Sequence, residues 1–98
     1  MITEEQINHF VEFLNSTYGN EHRLYKVAKL IKRYRIILYN YTSTSVYCFV
    51  DFDGNIYKYA DWNRPAKGIR GHINLPQECC EKYSVKYNTP GRKKLILN

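Results

Sequence analysis

Residues 46–60 read Val-Tyr-Cys-Phe-Val-Asp-Phe-Asp-Gly-Asn-Ile-Tyr-Lys-Tyr-Ala, two β-branched and aromatic runs on either side of Asp53-Gly54. Asp-Gly is favoured in two-residue type I′ turns, so the stretch predicts a β-hairpin with strands over 46–52 and 55–60. With that loop, Val50 faces Tyr57 across the hairpin. The hairpin is therefore the most strongly predicted β element of the chain.

Alternation of side chains along the two strands assigns them to two faces. The face predicted to join the core carries Val46, Cys48, Val50, Phe52, Tyr57 and Tyr59. The opposite face is aromatic but mixed, and it carries Tyr47, Phe49, Asp51, Ile56, Lys58 and Ala60.

The N-terminal segment predicts a helix over residues 3–15 that packs on the core face of the hairpin. Thr3 and Gln6 have the spacing of a capping box, in which each side chain bonds a free backbone N–H of the first turn. An apolar stripe follows at helical spacing and consists of Ile7, Phe10, Val11 and Leu14.

The remaining segments are short. Residues 24–31 fit either a helical stripe or a short strand, whereas 34–41 alternate as a strand. Residues 61–74 are predicted to be loop-like because of their proline and glycines. A short helix is predicted near 75–82, and strands over 83–87 and 92–97. The chain is thus predicted to be a single α+β domain, 1–98, with its N-terminal helix on a four- to six-stranded, mostly antiparallel meander.

Composition narrows the class of protein. The 98 residues carry a net charge of +6, 44% hydrophobic residues and ten tyrosines. These figures exclude a multidomain enzyme, a transmembrane protein and a low-complexity segment. Three cysteines without a basic and apolar N-terminal run predict reduced thiols in a cytosol and no membrane association. The charge is polarised, since residues 1–20 hold three acidic and no basic residues while 21–40 hold six basic residues and Glu21.

A longer pattern carries a family resemblance. After the apolar strand and Asp53-Gly54 come Ile56-Tyr-Lys58, then Trp62, then Pro65-Ala-Lys-Gly-Ile-Arg70. This pattern, with upstream matches from residue 24, resembles a group of small bacteriophage proteins over residues 24–73. The resemblance implies a viral origin, a strand over 24–29 and a location in the cytoplasm of the infected host cell. That group is uncharacterised, so the resemblance implies no activity.

The sequence departs from the pattern of that group in two places. Leu30-Ile31 stands where a more polar turn is expected, and His72 stands where the pattern has Asn.

The first candidate binding site is a basic segment after Trp62. Its cations, spaced by three residues, are Arg64, Lys67 and Arg70. Gly68 and Gly71 permit positive φ, so backbone N–H groups there could converge on a phosphate. The alternative is structural: Trp62 fills the core and the glycines only let the loop fold over the sheet.

The second candidate is the mixed sheet face. Its aromatic and basic residues are Arg35, Tyr39, Tyr47, Phe49 and Lys58, and aromatic rings interleaved with cations are typical of sheets that stack single-stranded nucleic acid. The alternative is that helix 75–82 and the C-terminal strand cover this face. Arg33, Lys93 and Lys94 would widen the basic surface, unless the two lysines only solvate a strand edge.

No catalytic constellation is recognisable. The three histidines are scattered, and residues 51–62 fail as a calcium loop because position twelve is Trp62 instead of Glu. The sequence therefore predicts neither cofactor nor metal. The leading hypothesis is a non-enzymatic protein that binds nucleic acid. The alternative is a protein–protein module that inhibits or modulates a host defence or transcription protein.

Overall fold

The computed structural model describes residues 1–76, which form one helix and one antiparallel sheet. The elements are α1 Glu4–Tyr18, β1 Arg23–Lys29, β2 Arg33–Asn40, β3 Thr44–Asp51, β4 Asn55–Tyr59 and β5 Pro65–His72. The strands are neighbours in chain order, β1-β2-β3-β4-β5, which is a meander. The predicted α+β class, the N-terminal helix and the antiparallel meander are confirmed. The elements predicted for 75–82, 83–87 and 92–97 lie wholly or mostly outside the described residues.

The cap predicted for α1 is present. The Gln6 backbone N–H donates to Thr3 Oγ1 at 3.1 Å, and the Thr3 N–H donates to Gln6 Oε1 at 2.8 Å. Ile7, Phe10 and Leu14 are the buried residues of the helix, so the predicted stripe faces the sheet. The helix extends three residues beyond the predicted end and stops at Gly19, where an added Cβ would lie 2.6 Å from the Asn15 carbonyl oxygen.

The side chain of Asn15 bonds α1 to the backbone of the first strand. Asn15 Nδ2 donates to the Tyr25 carbonyl at 3.0 Å, and the Tyr25 N–H donates to Asn15 Oδ1 at 2.7 Å. The amide of Asn15 therefore satisfies both backbone groups of Tyr25, on the side of β1 that has no neighbouring strand among residues 1–76.

The β3–β4 hairpin has a different turn from the predicted one, and this changes the faces. The Gly54 N–H donates to the Asp51 carbonyl at 3.0 Å, Gly54 has φ +93°, and the loop between β3 and β4 comprises three residues. A type I turn followed by a left-handed glycine is the usual three-residue hairpin loop. Phe49 consequently pairs with Tyr57, so the predicted pairing of Val50 with Tyr57 is wrong.

A one-residue change of register moves every side chain of β4 to the other face. Ile56, predicted to lie outside the core, is fully buried in the cluster packed on α1. Tyr57, predicted to lie in that core, is on the opposite face with Phe49.

A β-bulge corrects the predicted faces of β3 as well. Ile36 pairs with Cys48, but the next residue, Ile37, pairs with Val46, so Tyr47 is an extra residue in β3. Tyr47 and Cys48 both belong to the core cluster under α1, whereas Val46 is buried outside it. The bulge thus exchanges the predicted positions of Tyr47 and Val46.

The segment predicted as a loop over 61–74 is mostly strand. The connection between β4 and β5 and residues 73–74 lie outside strands, and β5 runs from Pro65 to His72 against β4. The register shifts twice along this pair, and Gly68 has φ +96° within it. The glycines that suggested a loop are instead the residues of an irregular, bulged strand.

We predict that replacing Asn15 with Ala weakens the docking of α1 on β1. The substitution leaves the N–H and C=O of Tyr25 without their partners, and two such hydrogen bonds contribute about 1–3 kcal/mol to the free energy of unfolding. Urea denaturation followed by circular dichroism measures the loss. The control is Ser16→Ala, an exposed neighbour on the same helix, for which we expect a change within about 0.5 kcal/mol. Equal stability of the two variants would contradict a docking role for Asn15.

Candidate functional site

The face of the sheet that points away from α1 carries a row of register-paired residues across all five strands. Ala28 pairs with Arg35, Arg35 with Phe49, Phe49 with Tyr57, and Tyr57 with Ile69. We call this side the open face because α1 does not pack on it, although its central residues Ile37, Val46 and Phe49 are buried. Along β2 it presents Arg35, Ile37 and Tyr39, because Tyr34, Ile36 and Leu38 point into the core under α1.

The connection between β4 and β5 folds across this face to reach β2. Arg35 Nε donates to the Trp62 carbonyl at 3.0 Å, and an Arg35 terminal nitrogen donates to Asn63 Oδ1 at 3.1 Å. The guanidinium carbon of Arg35 lies 4.7 Å from the centroid of the Trp62 ring, within the range of a cation–π contact. Trp62 is 44% exposed, so it does not fill the core.

The same connection is closed by an ion pair. Arg64 donates to Asp61 Oδ2 from Nε at 2.9 Å and from a terminal nitrogen at 2.7 Å, and Asp61 Oδ1 accepts the Asn63 N–H at 2.8 Å. The hydrogen bonds from Arg64, followed by the one from the Asn63 N–H, hold the pKa of Asp61 below its ordinary value. The charge of Arg64 is thus balanced by Asp61, which leaves it a weaker contact for phosphate than the sequence suggested.

An open groove of about 810 Å³ lies beside Arg35. It is lined by Lys29, Leu30, Ile31, Lys32, Arg33, Arg35 and Asn63. Four of these residues are cations and none is acidic. Within residues 1–76 no ion pair joins any of the four to a carboxylate, so positive charge is in excess along the groove.

The tip of the β1–β2 turn forms one side of this groove. The Leu30 N–H donates to the Arg33 carbonyl at 2.8 Å, which leaves Ile31 at the tip with 93% of its surface exposed. An isoleucine in this position is the departure from the phage pattern noted above. It places an apolar side chain next to the cations.

The predicted basic segment is divided by the structure. Lys67 and Arg70 are exposed on the irregular strand β5, at the opposite edge of the sheet from β1. Of the two glycines expected to have positive φ, Gly68 does and Gly71 does not. The three cations therefore do not surround a single turn of converging N–H groups.

The predicted aromatic surface is divided too. Tyr47 is buried under α1, with its ring 5.0 Å from that of Tyr25 in an edge-to-face contact. Phe49 is on the open face but fully buried, so neither ring is available for stacking. Tyr39 is 38% exposed, and Lys26 Nζ lies 5.8 Å from its ring centroid.

Two further predicted sets lie apart from the groove. Lys58 is half-buried two residues after Ile56, which places it on the α1 side of β4 by strand alternation. Lys93 and Lys94 lie outside the described residues.

Sequence reasoning missed Lys29, Lys32 and Asn63 as members of one site, because a groove between a hairpin tip and a distant connection has no local signature. The available signal was the density of basic residues over 21–40 and the apolar turn at Leu30-Ile31.

The end of β3 next to the groove is held by Asp51, which pairs in register with Arg33. Asp51 Oδ1 accepts the N–H groups of Asp53 at 3.0 Å and Asn55 at 2.9 Å. Asp51 Oδ2 accepts Asn55 Nδ2 at 3.1 Å and the Tyr57 hydroxyl at 3.0 Å. Partial burial alone would raise the pKa of Asp51, but these hydrogen bonds together hold it below 3.8. The same contact with Asp51 raises the pKa of Tyr57 above 10.0.

Comparison with protein families gives one match, to a model described as a family of unknown function (DUF7717), over residues 3–91. The chain belongs to this family. No curated protein and no solved structure matches it. The matched residues include α1, the whole of the sheet and most of the C-terminal segment.

Two further observations concern residues 1–76. No group of three or more His, Cys, Asp or Glu side chains there could hold a metal ion. The one helix in that part of the chain is too short and too polar to span a bilayer.

We predict that Asp51→Asn destabilises the β3–β4 turn in a pH-dependent manner. Because the pKa of Asp51 is lower in the folded than in the unfolded chain, its stabilisation is present above the unfolded value near 3.8 and is lost as the pH falls through the folded value. At pH 6 the variant should lose about 1–3 kcal/mol of unfolding free energy. This deficit should shrink as the pH falls below 3.8.

Urea denaturation at a series of pH values measures this dependence. Asp53→Asn is the matched control, because within residues 1–76 the exposed Asp53 carboxylate makes only a 3.9 Å contact with the N-terminal amine. A deficit of Asp51→Asn that stays constant down to low pH would contradict the role of the ionised carboxylate.

Proposed function

We propose that the protein is a small, non-enzymatic, phage-encoded protein that binds nucleic acid, and that the basic groove contacts the phosphates. The observation that carries the proposal is one open groove that Lys32, Arg33 and Arg35 line together with Lys29 and that has no acidic lining residue. The Lys29 ammonium itself lies 5.9 Å from the Phe52 ring centroid. The phage origin, and with it a site of action in the cytoplasm of the infected cell, rests on the sequence pattern of residues 24–73.

The charge arrangement favours a polyanion over a small acidic ligand. The groove is open and about 810 Å³ in volume, and it is lined by cations from β1, the β1–β2 turn and β2. Such an arrangement can track several phosphates of a backbone but does not enclose a single anion. Neutralisation of phosphates with release of counterions then supplies the affinity.

The protein–protein alternative keeps one specific observation in its favour. Ile31 is almost fully exposed at the rim of the groove, and Trp62 is 44% exposed nearby. Tryptophan and arginine are enriched in the hot spots of protein–protein interfaces, so these residues could also bind an acidic surface of a partner protein.

We predict that the double variant Lys32→Ala/Arg33→Ala binds nucleic acid more weakly, in a salt-dependent way. Fluorescence anisotropy with labelled DNA and RNA oligonucleotides, titrated over a range of NaCl concentrations, measures this. Each phosphate contact that is lost should flatten the slope of log affinity against log salt by about 0.7 on a single strand.

The matched control is Lys67→Ala/Arg70→Ala, which removes one lysine and one arginine from β5 at the other side of the sheet. It should leave the slope close to that of the unsubstituted protein. A larger effect in the control would move the site to β5. Failure of the unsubstituted protein to bind any oligonucleotide at low salt would overturn the proposal, and a stoichiometric host protein on an affinity column would then favour the alternative.

A further inference from the structure

We infer that the nucleic acid bound at this site is single-stranded, and that a base stacks on each of two rings of the open face. One ring is Tyr39 of β2, and the other is Trp62 of the β4–β5 connection, which lies against Arg35 of β2. This inference rests on the proposed function and specifies its ligand. Its evidence is the two aromatic rings and the side chains that hold them, of which Arg35 also lines the groove.

The first stacking position is the pair formed by Trp62 and Arg35. The guanidinium lies over the indole at 4.7 Å and is fixed by its hydrogen bonds to the Trp62 carbonyl and to Asn63. Arg35 thus occupies one face of the ring, and Trp62 as a whole residue keeps 44% exposure to solvent. A ring that is already held in place loses little conformational entropy when a base stacks on it.

The second stacking position also combines an exposed aromatic ring with a cation. Tyr39 is 38% exposed, and Lys26 from the neighbouring strand lies 5.8 Å from its ring centroid. Lys26 pairs in register with Ile37, which places the lysine on the open face between the two rings. Each position therefore has an aromatic ring for a base and a nearby cation for the adjoining phosphate.

The two positions lie on one line along the sheet. Arg35 and Tyr39 are four residues apart on β2 and point to the same face, so their Cα atoms are separated by about 13 Å. Trp62 lies against Arg35 at one end of this span and Tyr39 is at the other, so we assign the two rings to separate nucleotides of a splayed chain. The groove cations lie at the Arg35 end of this line, where they would bind the continuing backbone.

The arrangement selects unpaired bases. In a duplex the faces of the bases are covered by their neighbours, and only a single strand can place a base on an exposed ring. Groove cations alone would bind both forms. The cations therefore supply affinity for nucleic acid in general, and the rings supply the preference for a single strand.

The experiment measures binding of the full chain to a labelled oligothymidylate and to a labelled duplex by anisotropy. Replacing Trp62 or Tyr39 with Ala should weaken single-strand binding roughly 5- to 150-fold, which corresponds to about 1–3 kcal/mol for each stacked base, and leave duplex binding nearly unchanged. Trp62→Phe should retain most of the affinity because it keeps a ring. Ile69→Ala, an exposed apolar residue on the same face, is the control and should change neither.

A second readout does not depend on substitutions. Trp62 is the only tryptophan of the chain, so quenching of its fluorescence by the single strand, and not by the duplex, reports stacking directly. Equal affinity for the two forms, with no quenching and no effect of Trp62→Ala, would overturn the single-strand inference and leave the proposed function in place. Absence of binding to both forms would overturn the proposed function itself.

Discussion

The carboxylate of Asp51 is the group on which both faces of the sheet depend. By accepting two backbone N–H groups, an amide and a hydroxyl, it fixes a three-residue turn in which Gly54 adopts positive φ. That turn determines which residues of β4 pair with β3, and a shift by one residue would move Tyr57 under α1 and Ile56 to the open face. Asp51 is also the last residue of β3, and its register partner on β2, Arg33, lines the groove. The hydrogen bonds of the Asp51 carboxylate thus decide which side chains enter the core and which lie on the open face and beside the groove.

Elements specified by local chemistry could be predicted from the sequence. The capping box and apolar stripe identified α1, and alternation identified β2, β3 and the start of β4. What local chemistry could not give was register. Asp53-Gly54 suits both a two-residue and a three-residue loop, and the choice depends on the side chain of Asp51, two residues earlier. The bulge at Tyr47 likewise has no sequence signature, because an aromatic residue fits either face of a half-buried strand.

The candidate site was harder to predict for a related reason. Arg35 and Tyr39 were predicted on one face and lie there, but the ring that completes the first position, Trp62, comes from a connection 27 residues away from Arg35. β4 is only five residues long, so the chain turns back early enough for Trp62 to cross β3. Strand length and the position of a reversal are tertiary properties. The basic segment was predicted as one phosphate site from the even spacing of its three cations. That spacing does not show that Arg64 pairs with Asp61, or that Lys67 and Arg70 lie on a strand.

The amide of Asn15 has a consequence beyond holding the helix. A strand at the edge of a sheet offers unpaired N–H and C=O groups, and these can template the addition of a strand from another molecule. Near the middle of β1 both groups of Tyr25 are already bonded to Asn15 of the same chain. A strand from a second copy would have to displace that amide, so this edge resists domain swapping and sheet-to-sheet aggregation. The cations of the groove therefore stay accessible on the neighbouring β1–β2 turn, while the backbone of β1 does not template self-association.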